Sequence, residues 1–219
     1  FKDKIYQLID VKEDGTFWLD QSYFNYATGL TMINKKFCNL FGQKPRHSEI
    51  DKITQFHMDI AASIQIVTEE IILKLVKSIK NDFECENLCL AGGVALNCVA
   101  NGKIIKENIF KNVWIQPAAG DAGGSLGAAL AFWHIDQKNN RKVEIDDSMQ
   151  GSYLGPEYSQ NQIENILKKI GASFEVLNDD EIIEKTALNL SNGKAIGWFQ
   201  GRMEFGPRAL GSRSILADP

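Results

Sequence analysis

The sequence predicts an α/β fold, and three observations carry that prediction. From Asn87 onward short apolar runs alternate with segments of helical periodicity, the connections between them are short, and glycine clusters sit where a run ends and a helix begins. After a polar interruption the alternation restarts, so the chain reads as one domain followed by the opening part of another.

The elements follow in order. "IYQLIDVKEDGTFWLD" places two alternating apolar runs around Asp14-Gly15, a hairpin signal. The aromatic-rich "QSYFNYATGLTMINKKFCNLFG" reads as a loop and then a short helix ending near Gly42, with Lys44-Pro45-Arg46 as a connector. From Glu49 to about Lys80 runs the longest helical pattern, in which Ile53, Phe56, Ile60, Ile64, Val67, Ile71 and Leu75 keep a three-to-four spacing. A helix of that length is expected either to cross the back of a sheet or to break near Asp59. "NLCLAG" then reads as a strand, Val94 to Asn108 as a helix, "NVWIQP" as a strand, and "GDAGGSLGAALAFWH" as a turn and a helix. "IDQKNNRKVEIDDSMQGSYLGPEYS" has no period and marks a boundary. Beyond it come a helix from Ser159 to Ile170, a strand "SFEVL", a helix from Asp179 to Ser191 and a strand "KAIGWF".

Bulk properties narrow the function. An apolar content of 44% and a charged content of 24% in 219 residues are those of a soluble globular protein. A net charge of −4 argues against a dedicated nucleic-acid binder, and no apolar run approaches membrane-spanning length. Cys38, Cys85, Cys89 and Cys98 lack paired metal spacing, so reduced thiols in a cytoplasm are expected. The chain starts at Phe1 and stops at "SILADP" with no polar tail at either end, and an excised piece of a longer protein is expected.

Three glycine-centred segments are candidates for chemistry. In "CLAGGVALN", Gly92 and Gly93 stand at a strand–helix junction, where a backbone can pass close to a phosphate or ribose and Asn97 can bond polar ligand atoms. A tight turn with Asn97 bonded to local backbone explains the same residues equally well. In "PAAGDAGGSLGAAL", Asp121 follows Gly120 where a strand gives way to a helix. It can cap the helix, or it can hold a metal or order a water at the strand's C-terminal edge. The small residues Gly123, Gly127 and Ala131 form a stripe suited to packing. In "GRMEFGPRALGSRS", Arg202, Arg208 and Arg213 lie among glycines that let a backbone fold around an anion. The plainer alternative is a solvated loop with Arg202 or Arg208 paired to Glu204. The sequence has no phosphate-binding G-x-x-x-x-G-K-[ST], no G-x-S-x-G elbow and no H-E-x-x-H zinc helix, and His47, His57 and His134 read as structural.

Together, "LCLAGGVALNCVANGKI", "QPAAGDAGGSLGAAL" and "GWFQGRMEFGPRALGSRSILADP", in that order and spacing, closely resemble the nodulation-type O-carbamoyltransferases. "YFNYATGLTMINKKF" and "HMDIAASIQ" extend the resemblance over nearly the whole chain. It implies that residues 1–150 are the C-terminal half of an actin-like, sugar-kinase ATPase-fold domain, related to the tRNA threonylcarbamoyladenosine transferase subunit. It also implies that residues 151–219 begin a carbamoyl-adenylate-forming domain like the threonylcarbamoyl-adenylate synthases. The activity it implies uses ATP and carbamoyl phosphate to make carbamoyl adenylate. The carbamoyl group then passes to a hydroxyl of a sugar or secondary metabolite, with iron polarising the carbamoyl group or the acceptor oxygen.

By the same resemblance Gly92, Gly93, Asn97 and Gly120 would hold nucleotide and Asp121 would ligate the metal. Arg202 and Arg208, with Arg213 in third place, would contact carbamoyl phosphate or ATP. The family's histidine ligands and first phosphate loop would lie before Phe1 and most of the adenylate-forming domain after Pro219, so this chain alone is expected to be inactive. Expected partners are small-molecule substrates, with no nucleic acid and no membrane, and a homodimer is an open expectation. Two rival functions stand beside this one: an actin-like-fold sugar kinase, and a non-catalytic nucleotide-binding or assembly module.

Overall fold

A computed structural model of the chain describes residues 1–143 and 146–217. The expected boundary segment takes in Glu144 and Ile145, and the expected second domain ends in Asp218 and Pro219; these four lie outside the described residues. The architecture is mixed α/β, with helices and three two-stranded sheets among the described residues. Two compact units emerge, one of residues 1–89 and 97–114, the other of residues 90–96 and 115–217 within the described chain.

The first unit is organised by apolar burial. Helix α1 (Lys2–Ile5) leads into strands β1 (Ile9–Val11) and β2 (Phe17–Leu19), which pair antiparallel as the Asp14-Gly15 turn predicts, with Ile9 opposite Leu19. Helix α2 (Lys35–Phe41) starts at Asn34, whose side chain accepts from the Lys36 and Phe37 N–H groups, and stops at Gly42 in the left-handed conformation. Ile5, Leu8, Phe41, Val67 and Ile71 form the core, and Phe37 stacks on Phe41 with ring centroids 4.6 Å apart.

Helix α3 (Gln55–Asp82) contributes Val67 and Ile71 to that core, but it starts later than its periodicity predicts. The Asp51 carboxylate accepts from the His47 N–H at 2.8 Å, and Arg46 Nη1 donates to the Asp51 carbonyl at 2.9 Å. A local turn therefore competes with the helix before Thr54. The helix begins where the Thr54 N–H donates to His57 Nδ1 at 3.1 Å. Ile53 lies outside it and is 65% exposed. Of the two alternatives for so long a helix, the break near Asp59 does not occur: Asp59 sits within the continuous helix, its carboxylate accepting from Gln55 at 2.7 Å.

A β–α–β passage follows. Strand β3 (Asn87–Leu90), helix α4 (Cys98–Lys106) and strand β4 (Asn112–Ile115) run in order, and β3 and β4 pair. The Asn112 N–H donates to the Glu86 carbonyl and the Gln116 N–H to the Leu90 carbonyl, so both strands advance together and the pair is parallel. The helix expected from Val94 to Asn108 is divided at Asn97, which caps α4, and residues 93–96 form a 3-10 turn instead.

In the second unit, α5 (Asp121–Ala131) ends in a π-helical turn over Phe132–Asp136. Helices α6 (Gln160–Lys169) and α7 (Asp179–Ser191) both open with reciprocal capping boxes, Ser159 with Gln162 and Asn178 with Glu181. Strands β5 (Ile196–Phe199) and β6 (Arg213–Leu216) pair antiparallel. The expected strand "SFEVL" is irregular backbone, because among the described residues it meets no strand to pair with. The small-residue stripe on α5 is approached closely at Gly123, where a Cβ would meet the Ala118 carbonyl, while Gly127 has nothing within 4 Å of its missing side chain and α5 buries no residue.

Phe41→Ala is expected to destabilise the protein by about 3–5 kcal/mol, as removal of a buried ring from a packed cluster does. Ile53→Ala, outside α3 and exposed, is expected to stay within about 0.5 kcal/mol. Urea unfolding of the two variants measures both, and equal losses would contradict the late start of α3.

Candidate functional site

The second unit brings all three glycine-centred segments into contact. The Gly92 N–H donates to the Ala119 carbonyl at 2.8 Å, tying the turn after β3 to the turn after β4. Gly206 packs on the same stretch from the loop between β5 and β6: a Cβ there would lie 2.6 Å from the Pro117 carbonyl oxygen and 3.2 Å from Ala118 Cα. With φ at +123°, Gly206 occupies a backbone region that other residues avoid, so glycine is required there on two counts.

The paired glycines differ in what they require. Gly92 has φ at +99°, which explains its choice. Gly93 has no such backbone angle and nothing within 4 Å of where a Cβ would stand, so no contact among the described residues demands a glycine. Gly120 likewise has open space beside it, and as N-cap of α5 it precedes Asp121, the first residue of that helix. Asp121 is exposed, and its side chain makes no hydrogen bond or ion pair among the described residues.

Asn97 belongs to the first unit, and its amide is engaged there. Its Nδ2 donates to Gln65 Oε1 at 2.9 Å, and its Oδ1 accepts from Gln65 Nε2 at 3.1 Å and from the Ala100 N–H at 3.1 Å. Gln65 in turn donates to the buried Glu69 at 2.7 Å, and Lys103 pairs with the same carboxylate. Asn97 is thus the capping end of a polar chain between α3 and α4. His57 serves as the cap partner of Thr54, and His134 Nδ1 lies 3.0 Å from the Asn139 carbonyl.

The arginine loop, residues 200–212, is fastened from two sides. The Gln200 N–H donates to the Ser212 carbonyl at 2.8 Å across its base. A strap formed by residues 152–157 binds its flank. There Gly155 N–H donates to the Met203 carbonyl at 2.8 Å, Phe205 N–H to the Ser152 carbonyl at 2.7 Å, and Tyr153 hydroxyl to the Leu210 carbonyl at 3.2 Å. Arg202 belongs to this fastening, since Nη1 donates to the Gly155 carbonyl and Nη2 to Glu157, both at 2.9 Å.

Glu204 lies at the centre of the loop, 1% exposed. Its Oε1 accepts from the Leu210 and Ser212 N–H groups at 2.8 Å each and from the Arg213 N–H at 3.3 Å. Its Oε2 is buried without a hydrogen bond and lies 3.7 Å from Arg213 Nε. Arg213 spends its other nitrogens on the Gly206 carbonyl and on Met203 sulfur. Neither Arg202 nor Arg208 pairs with Glu204, as the solvated-loop alternative supposes. The backbone does fold around an anion, and that anion is the chain's own carboxylate. Arg208 is left exposed, with no hydrogen bond or ion pair among the described residues.

Burial on its own would push the Glu204 carboxyl up. The backbone N–H groups of Glu204 itself, Leu210, Ser212 and Arg213 outweigh it and hold the carboxyl down at about 2. No feature of the sequence distinguishes this residue from any other glutamate beside arginines. As for a metal, the described residues gather no group of three histidine, cysteine, aspartate or glutamate side chains. Asp121 offers one free carboxylate and no more. No helix among the described residues is long and apolar enough to cross a membrane.

Comparison with known proteins adds a family. Residues 2–130 match the family model described as "Carbamoyltransferase N-terminus", and residues 187–219 the one described as "Carbamoyltransferase C-terminus". The "Uncharacterized protein sll1178" of Synechocystis sp. is 57% identical over 214 residues, which is 97% of this chain and 35% of that protein. "Nodulation protein NolNO" of Sinorhizobium fredii is 42% identical over 168 residues, 76% of this chain and 24% of that protein. "Nodulation protein U" of Rhizobium fredii is 34% identical over 131 residues, covering 60% and 20% respectively. The chain therefore spans about a third or less of the length of these curated relatives.

Because the folded carboxyl of Glu204 is depressed, its contribution to stability is full above its ordinary value of 4.5 and is lost as the pH falls through about 2. Thermal unfolding between pH 6 and pH 2 is expected to show that loss, and Glu204→Gln to remove part of it. An acid limb that the substitution leaves unchanged would contradict the depressed carboxyl.

Proposed function

The chain belongs to the carbamoyltransferase family, and from that premise we propose that it is part of an ATP-dependent O-carbamoyltransferase whose anionic substrate is met by Arg208. The observation that carries this reading is the meeting of two family-matched segments in one unit. The loop matched by the C-terminus model sets Gly206 against Pro117 and Ala118, which the N-terminus model matches, and it leaves one guanidinium unpaired. Such an arrangement suits a reaction in which an activated group formed at one segment is used at the other.

In this proposal carbamoyl phosphate, ATP and water give carbamoyl adenylate, phosphate and pyrophosphate. The carbamoyl group then passes to a hydroxyl of a sugar or secondary metabolite, the bond to the adenylate phosphate breaking as AMP and the hydroxyl proton leave. Arg208 binds the phosphate of the donor, because a planar guanidinium with free N–H groups takes phosphate in a two-pronged contact. Gly93, which no contact among the described residues requires, lets nucleotide approach the backbone, with Gly92 setting the turn and Gly120 opening the adjacent one. Arg202 fastens the loop rather than meeting substrate.

Asp121 supplies one carboxylate to a divalent metal, iron by family resemblance, whose chemistry is polarisation of the carbamoyl group. The remaining ligands would come from outside these residues. The division at residue 150 into an actin-like half-domain and a carbamoyl-adenylate-forming domain belongs to the proposal, as does activity only in the longer protein.

The test uses the full-length protein with ATP, carbamoyl phosphate and ferrous iron, following pyrophosphate release and carbamoylated acceptor. Arg208→Ala is expected to raise the KM for carbamoyl phosphate by about tenfold or more, the cost of a lost charge-assisted contact. Asp121→Ala is expected to abolish acceptor carbamoylation while pyrophosphate release continues. Absence of pyrophosphate release that depends on carbamoyl phosphate would overturn the proposal, and acceptor-dependent formation of ADP in its place would favour a kinase.

A further inference from the structure

A loop that closes on its own carboxylate raises the question of what the closure is for. Three backbone N–H groups, from Leu210, Ser212 and Arg213, converge on Glu204 Oε1. Converging N–H groups in a glycine-rich loop form a concavity that ordinarily takes a bound anion. Here that concavity is filled from within, so an incoming phosphate is denied the backbone and must be met by a side chain. Arg202 is bonded to Gly155 and Glu157, and Arg213 is bonded to Gly206 and faces Glu204. Arg208 alone of the three is uncommitted among the described residues. It lies between Glu204 and the residues whose N–H groups Glu204 holds, so both ends of the segment carrying it are anchored to one buried carboxylate.

We infer that Glu204 is a positioning residue of the phosphate site: its carboxylate holds the loop in the shape that presents Arg208, and it acts on substrate only through Arg208. The inference rests on the reading of Arg208 given above. It deepens that reading by naming the group that sets the arginine's place before substrate arrives. The arrangement also accounts for the orphaned Oε2. A buried oxygen without a hydrogen bond is costly, and here it faces Arg213 Nε at 3.7 Å, so the charge is compensated while the N–H bonds all go to the other oxygen.

Two experiments on the full-length protein test it. In the wild type, the amides of Leu210, Ser212 and Arg213 are expected to exchange slowly with solvent whether or not inorganic phosphate is present, because the anion that protects them is internal. Fast exchange that slows only on adding phosphate would overturn the inference, and this result does not depend on any variant folding. The second experiment is a double-substitution cycle in carbamoyl-phosphate kinetics. Glu204→Gln is expected to raise KM by about tenfold with kcat within about twofold, and Glu204→Gln combined with Arg208→Ala to be no worse than Arg208→Ala alone. Multiplying defects would show that Glu204 acts independently of Arg208 and would overturn the positioning role.

The two readings fail differently. Inorganic phosphate that binds through Arg208 and weakens in Glu204→Gln, in a protein that does not consume carbamoyl phosphate, would remove the proposed function and keep the positioning role. Consumption of carbamoyl phosphate with a KM unchanged by Glu204→Gln would do the reverse.

Discussion

Ala118 is fully buried, and two glycines make that burial possible. A Cβ on Gly206 would press on the Pro117 carbonyl from the arginine loop, and a Cβ on Gly123 would come within 2.1 Å of the Ala118 carbonyl from the first turn of α5. Both approaches are backbone against backbone, which no rotamer change can relieve. The turn carrying Ala118 and Ala119 is therefore the fixed point of its unit. The Gly92 N–H bonds to it, α5 departs from it, and the loop with Glu204 and Arg208 rests on it.

The two units reach order by different physics. In the first, apolar side chains from α1, α2 and α3 meet in a cluster, each buried large side chain contributing roughly 1.5–3 kcal/mol. In the second, the buried residues of the loop and its strap are polar: Ser152, Glu204 and Ser212, beside the small Ala118 and Ala119. Hydrogen bonds to backbone replace oily contact. Interactions of that kind are directional, so they fix a loop's shape more tightly than they stabilise it.

What could be read from the sequence follows from the same distinction. Helix α7 has the bounds that its pattern and the "NDDE" start announce, and the β1–β2 hairpin has the turn that Asp14-Gly15 encodes, because both signals are local. The start of α3 was hidden, since the apolar spacing continues back to Ile53 while the Asp51 side chain captures the His47 N–H and delays the start of the helix. "SFEVL" has the composition of a strand but, among the described residues, no neighbouring strand to make it one. At the site, the glycine segments and Arg208 were legible as residue types in a telling order. The difference between Arg208 and Arg202 was not, because it depends on Gly155 and Glu157 coming from a strap far along the chain. Glu204 was invisible for the same reason: nothing in "MEFGPRALG" says that its carboxylate turns inward.

Apart from the Arg213 guanidinium that faces Oε2, the partners of Glu204 in the loop are main-chain groups, at Leu210, Ser212 and Arg213. Main-chain groups are common to nearly all residues, so the loop's architecture is indifferent to most side chains at its rim. Exposed Ala209 and Leu210 can be exchanged for other residues, proline apart at Leu210 where the N–H is needed, with the scaffold beneath them intact. For an engineer, or for natural selection, this separates form from surface: the rim is the part of the loop that can diversify while its frame is inherited unchanged.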